Sequence, residues 1–280
     1  MALFVATALY TLLAIALGGV NPILLSPVPT WNPLHWTFGN IVSVWSGLKP
    51  FAGANWVIFA RTCVYIAIAM AGCLLIGYPV AYFVAVRAKR TRGIVLALFI
   101  MPFLCSYMLR MLAWVGLLAP DGWINSVLMG VGLMHSQLDW LSGRSVVVVL
   151  GLIYGWVPYF ILPVYASLAR FDQRYLEASK DLGGSGWQTF WHVTLPLSRQ
   201  GIYAGIVIVA LPMFGDFFTN QLLSGTSSTG MVGTLINTFA QSATDQSMAA
   251  ACAVFLVAFL ALLLMPYLRS SGRATEEVAA

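Results

Sequence analysis

The sequence predicts an all-α membrane protein with six transmembrane helices. Three observations lead there. Charged residues are 8% of the 280 and hydrophobic residues 60%, whereas soluble domains carry about 25% charge, so lipid is the natural solvent for this chain. The apolar residues fall in long continuous runs, unlike the alternating ten-residue segments of a membrane barrel. In lipid only helices or closed barrels satisfy the backbone, and the run length selects helices.

A span needs about 20 apolar residues. Six stretches qualify: Leu3–Leu25, Trp56–Val86, Gly93–Leu118, Ser145–Leu168, Ile202–Leu223 and Met248–Leu268. The first 48 residues contain no Lys, Arg, Asp or Glu. A cleavable leader begins with basic residues, so the first run is expected to be a retained span. The prolines at 79, 102, 158, 163 and 212 are expected to kink their helices.

Basic residues set the orientation. Arg87, Lys89, Arg90 and Arg92 follow the second run. Arg170, Arg174, Lys180 and Arg199 follow the fourth, and Arg269 and Arg273 follow the sixth; together they are ten of the fourteen basic residues. Lys49 and Arg144 fall on the other side, with Asp121, Asp139 and Asp245. Both termini are therefore expected in the cytoplasm. The formal charge of +5 is dispersed over loops, which argues against nucleic-acid binding. Cys63, Cys73, Cys105 and Cys252 lie within apolar runs and read as small buried hydrophobes, suggesting neither a disulfide framework nor a metal site.

The segment Glu177–Gly201, EASKDLGGSGWQTFWHVTLPLSRQG, interrupts this apolar pattern. Asp172 is a suitable N-cap for a helix through Tyr175, Leu176, Ser179 and Leu182. Gly183 and Gly184 end it by admitting positive φ. Ser185 and Gln188 form a Ser-x-x-Gln capping box for a second short helix carrying Trp187, Phe190, Trp191 and Val193, which Pro196 is expected to close. Such a segment is either an amphipathic loop resting on the inner leaflet or a rigid lever offered to a partner's groove. His192 reads as a packing or hydrogen-bonding residue, because a lone histidine has no partner for proton transfer.

Glu177-Ala178-Ser179, Gly183 three residues on, and Val193-x-Leu195-Pro196 after nine more resemble the Glu-Ala-Ala loop of ABC importer permeases. Ser179 stands for the second alanine and Val193 for isoleucine. The stretches Gly77–Ala85, Met101–Trp114 and Leu211–Gly225 are similar to the spermidine/putrescine (PotB-like) branch of that family. The resemblance covers about residues 37–268. It implies a type I importer permease fold. Residues 1–55 are then a first helix and outer loop, and 56–268 a core domain of five helices with a coupling loop at 171–200. Residues 269–280 are a cytoplasmic tail, which reads as disordered. It also implies partners: a cytoplasmic ATPase dimer holding ATP and Mg, a second, PotC-like permease subunit, and an external substrate-binding protein.

No lysine follows glycine, so the chain has no P-loop of its own. Nor is there a His-Glu-x-x-His or Gly-x-Ser-x-Gly motif, and no catalytic role is expected. Arg110 and Asp216 fall inside apolar runs, where a charge costs about 2.5–3.5 kcal/mol at the bilayer centre. They read either as a structural pair or as part of a substrate path. In the second reading Asp216 attracts a cationic amine, and Phe217, Phe218, Tyr107 and Trp114 add cation–π contacts of about 0.5–2 kcal/mol each. Arg61 reads as an interfacial anchor. Polyamines suit an aromatic-plus-acid lining best. An aminophosphonate or ferric-iron permease of the same architecture, or a stand-alone secondary carrier, are the alternatives.

Overall fold

A computed structural model describes residues 2–20, 27–49, 53–88, 91–170, 174–242 and 244–279. Lys89, Arg90 and Asp172 lie outside these residues, as do the side chains of Lys180, Arg269 and Arg273. In chain order the helices are α1 (Ala2–Ala16), α2 (Gly39–Gly47), α3 (Trp56–Tyr82), α4 (Arg92–Ile100), α5 (Tyr107–Leu118), α6 (Trp123–Gly130), α7 (Ser145–Ala169), α8 (Arg174–Asp181), α9 (Gly186–Thr189), α10 (Leu195–Phe214), α11 (Phe218–Leu223), α12 (Val232–Gln241) and α13 (Gln246–Ala279). A two-stranded antiparallel ladder, β1 (Gly19–Val20) with β2 (Pro27–Val28), follows α1.

Among the described residues, five helical stretches are long and apolar enough to cross a membrane: Trp56–Arg87, Tyr107–Gly130, Ser145–Ala169, Gly186–Phe214 and Gln246–Met265. The second and fourth apolar runs thus become helices with nearly the expected bounds. Pro79, Pro158, Pro163 and Pro212 all lie inside helices. In lipid, neighbouring helices re-satisfy the backbone groups that proline frees.

Three runs differ from expectation. The first ends at Ala16 instead of reaching Leu25, because the chain turns at Gly18 into the β1–β2 ladder. A side chain at Gly18 would start 2.2 Å from the Val28 carbonyl oxygen, so only glycine admits this approach. Fifteen residues of helix span about 22 Å against a hydrocarbon core of about 30 Å.

The third run is not one helix over Gly93–Leu118. It breaks into α4, a 3₁₀ turn at Met101–Leu104 and α5, with Cys105 extended between them. Pro102 lacks the N–H that would continue α4. Cys105, expected to be buried, is exposed at this break, whereas Cys73 and Cys252 are buried and Cys63 is intermediate.

The fifth run stops at Phe214 and restarts as α11 after Gly215. At the other end of the chain, residues 269–280 were expected to be a disordered tail, yet α13 continues to Ala279. Alanine, arginine and glutamate are among the stronger helix formers.

The chain forms two compact units. One comprises residues 1–64, 214–221 and 226–280. Here α1 and α2 pack on the beginning of α13 through Ala16, Val44, Ala250, Ala251 and Cys252, small residues that let backbones approach closely. Arg61 donates to the carbonyls of Ser227 and Gly230 at 3.3 and 3.4 Å, and Thr62 accepts from Val232 N at 3.0 Å. Arg61 therefore clasps the loop that leads into α12.

The other unit comprises residues 65–213 and 222–225. Phe160 of α7 is fully buried between glycines of two helices. A methyl added at Gly77 on α3 would lie 2.8 Å from its ring, and one at Gly205 on α10 2.9 Å. Gly201 approaches Ser167 and the Pro163 carbonyl in the same way. Gly201 and Gly205 form a Gly-x-x-x-Gly pair, a signal of close helix packing in lipid that was legible in the sequence. The loop between α5 and α7 is organised by buried Asn125, which donates to the carbonyls of Ala119, Pro120 and Leu138 and accepts from Trp140 Nε1 at 2.9 Å.

Candidate functional site: a helical hairpin and two membrane charge clusters

The predicted lever is a tight hairpin of α8 and α9 that runs on into α10. Glu177 and Ala178 lie on the exposed surface of α8, with Glu177 in its first turn, where a carboxylate favours the positive end of the helix dipole. Gly183 adopts φ +82°, the left-handed C-cap that only glycine takes without strain. Leu182 N donates to Ala178 O, and Gly184 N to Ser179 O at 2.9 Å, which closes the turn. A side chain at Gly184 would meet that Ser179 oxygen at 2.6 Å.

The capping box forms as expected. Gln188 N donates to Ser185 Oγ at 3.3 Å, and Ser185 N to Gln188 Oε1 at 2.9 Å. Ser179, the residue that departs from the Glu-Ala-Ala pattern, places its Oγ 2.9 Å from Thr189 Oγ1 and so ties α8 to α9. His192 Nδ1 lies 3.0 Å from the Gln188 carbonyl, in keeping with a hydrogen-bonding role.

Pro196 does not close the second helix. Phe190–Thr194 form one π turn, Leu195 N donates to Phe190 O, and α10 starts at once, giving a continuous helical stretch over Gly186–Phe214. The wider π turn removes the demand for an N–H at Pro196, and proline is tolerated in the first turn of the helix that follows. Val193 and Leu195 are half-buried and Thr194 is buried, so this face of the turn points inward. On the opposite face Trp187 is 70% exposed, with Trp191 beside it at a ring separation of 5.6 Å.

The intramembrane candidates form two clusters, one in each unit. In the first, Asp216 is buried, with 7% exposure, just before α11. Its Oδ1 accepts from Thr219 N at 3.1 Å, and its Oδ2 from the Thr219 hydroxyl. Asp216 thus caps the helix that restarts after the Gly215 break. Phe217 and Phe218 follow with ring centroids 4.0 Å apart. Asn220, also buried, donates to Thr229 O at 2.7 Å and accepts from Thr234.

In the second cluster Arg110, at 7% exposure, lies with its guanidinium carbon 4.3 Å from the Phe103 ring centroid and 5.2 Å from that of Tyr107. Its Nε and Nη1 have no hydrogen-bond acceptor, and the ring faces offer the guanidinium cation–π contacts. Tyr107 lies across Gly155 of α7 and beside Trp156 at 5.8 Å, and Trp114 meets Tyr154 at 5.3 Å. Helical periodicity does not reveal Phe103, because the helix is interrupted between it and Arg110, nor Tyr154 and Trp156, because they lie on α7, distant in sequence. Among the described residues, no group of three or more His, Cys, Asp or Glu is gathered as metal ligands.

Apolar helices long enough to cross a membrane, two of them joined through a capped hairpin with a glycine turn, define a helical membrane protein. Residues 73–271 match the family described as the binding-protein-dependent transport system inner membrane component, and this chain belongs to that family, the permease subunits of ABC importers. It is 32% identical over 212 residues to the spermidine/putrescine transport system permease protein PotB of Salmonella typhimurium (strain SL1344), covering 76% of this chain and 73% of that protein. Its fold is similar to a chain of a bacterial alginate ABC transporter solved with an alginate pentasaccharide-bound periplasmic protein, at TM-score 0.62 and 17% identity, covering 85% of this chain and 89% of that one. It is likewise similar to a chain of the MetNI methionine ABC transporter, at TM-score 0.54 and 16% identity, covering 75% and 90%.

Proposed function

We propose that this permease carries polyamines, spermidine or putrescine, across a bacterial cytoplasmic membrane with both termini inside. The kinship with a spermidine/putrescine permease over three quarters of the chain carries this reading. An external binding protein delivers the amine to the bundle. A cytoplasmic ATPase dimer, holding ATP and Mg, seats the α8–α9 hairpin in its groove through Glu177, Ala178, Ser179, Gly183, Val193, Leu195 and Pro196. A second, PotC-like permease completes the path. This chain itself contributes a path and a lever and performs no chemistry.

Within the path, Asp216 with Phe217 and Phe218 forms one lining cluster, and Tyr107, Arg110 and Trp114 another. The carboxylate contributes attraction to an ammonium group, and the rings contribute cation–π contacts. The clasp that Arg61 makes on its loop supports leaving it out of the lining.

The test is uptake of labelled spermidine by proteoliposomes holding the whole complex, with the binding protein outside and ATP inside. Uptake that needs both ATP and the binding protein, and that unlabelled putrescine inhibits, is the expected result. Uptake of a phosphonate or a ferric complex but not of spermidine would sink the cargo assignment. Transport by the chain alone, without ATP, would sink the coupled mechanism.

A further inference from the structure

One aromatic residue at the end of the hairpin lies outside the family motif. Phe190 starts the π turn, and its ring stands edge-on to Tyr78 at 5.7 Å and to Tyr82 at 6.5 Å, both on α3. On its own element it stacks on Trp187 at 6.0 Å and meets Trp191 at 5.5 Å. Two turns further on, the Ser198 hydroxyl lies 2.9 Å from that of Tyr78, with both residues buried. Ser198 Oγ also donates to the Leu195 carbonyl at 3.1 Å, so separating the pair inside a packed helical interface leaves the Tyr78 hydroxyl without this partner. One aromatic contact and one buried hydrogen bond therefore join the end of α3 to the start of α10.

The backbone yields on both sides of this junction. The last turn of α3 passes into a π turn at Phe83–Arg87, and the π turn at Phe190–Thr194 precedes α10. Single π turns interrupt the regular ladder of hydrogen bonds and often mark functional positions. Phe190 opens one of these turns, while Tyr78 and Ser198 lie in the regular helices beside them.

We propose that the Tyr78–Phe190–Ser198 junction passes displacement of the α8–α9 hairpin into α3, so that the ends of α3 and α10 move as one body during transport. This rests on the ATP-coupled import reading above and adds the residues that transmit the motion. Tyr78, Phe190 and Ser198 are positioning residues, which touch neither cargo nor nucleotide.

The whole complex in proteoliposomes tests this, with ATP hydrolysis and spermidine uptake measured on the same sample. Tyr78→Phe and Ser198→Ala each remove the hydrogen bond and keep the packing. Each should raise the ATP consumed per spermidine by about fivefold, and the double variant should be no worse than either single one. Phe190→Leu should raise the ratio further, with hydrolysis maintained. An unchanged ratio in all variants, with any loss confined to the amount of assembled complex, overturns the proposal.

A second measurement is independent of yield. Spin labels at Phe83→Cys and Leu197→Cys, both exposed positions, in a background cleared of native cysteines, report the distance between the two helix ends. It should stay constant between nucleotide-free and ATP-bound complex, and should vary once Phe190→Leu is added. A distance that already changes without Phe190→Leu overturns the proposal. A wild-type complex with no ATP-dependent uptake overturns the import reading, and the junction with it.

Discussion

Asp216 illustrates how one residue combines two demands. Its carboxylate accepts from Thr219 N in the first turn of α11, a side-chain cap, and in the proposed path it also presents negative charge to an amine. The two roles separate on substitution. Asparagine caps a helix about as well as aspartate, whereas alanine loses about 0.5–2 kcal/mol. Asp216→Asn should therefore keep the wild-type melting temperature of the purified complex while spermidine uptake falls by about tenfold, the loss of roughly one charged contact. Asp216→Ala should lower both. Wild-type uptake by the asparagine variant would leave Asp216 with capping alone. Arg110 differs in kind, since its guanidinium carbon stands over ring faces while its Nε and Nη1 have no acceptor. Its charge was legible in the sequence, but its cradle was not. Phe103 reaches it only because Cys105 and Ser106 leave helical geometry.

At the scale of elements, contact through glycine decides how the membrane helices meet. Phe160 of α7 fills the space left by Gly77 and Gly205, so a larger residue at either glycine has no room. Overpacking of this sort costs about 1–3 kcal/mol. Gly205→Leu should lower the melting temperature of the complex in detergent, and pairing it with Phe160→Ala should restore part of that loss. A Gly205→Leu complex as stable as the wild type would contradict this packing. The hairpin follows another logic. Its capping box and its left-handed Gly183 depend on residues close in sequence, which is why both were expected correctly. Pro196 was misjudged for the converse reason. Its usual effect assumes an α-helical ladder before it, and the Phe190–Thr194 π turn supplies a different one.

For the molecule as a whole, the proposed orientation makes a labelling prediction. His192 on the hairpin and His135 in the loop between α6 and α7 are both exposed. In a background cleared of native cysteines, an impermeant maleimide should modify His135→Cys in right-side-out vesicles and His192→Cys in inside-out ones. Bound ATPase subunit should slow only the second reaction. Modification of His192→Cys from outside would invert the arrangement and remove the hairpin from the ATPase.

The amino-acid sequence by itself determined the solvent of this protein, its helical class, the approximate place of most spans, and the capping box and Gly183 turn of the α8–α9 hairpin. Each of those follows from composition or from residues a few positions apart. Tertiary structure alone decided where the third and fifth runs break, what Arg61 clasps, which rings surround Arg110, and that Tyr78 meets Phe190 and Ser198 more than a hundred residues away. Periodicity records which face of a helix is apolar. It carries no record of which distant helix that face will meet, because that choice depends on side-chain shape and on polar groups finding partners across space.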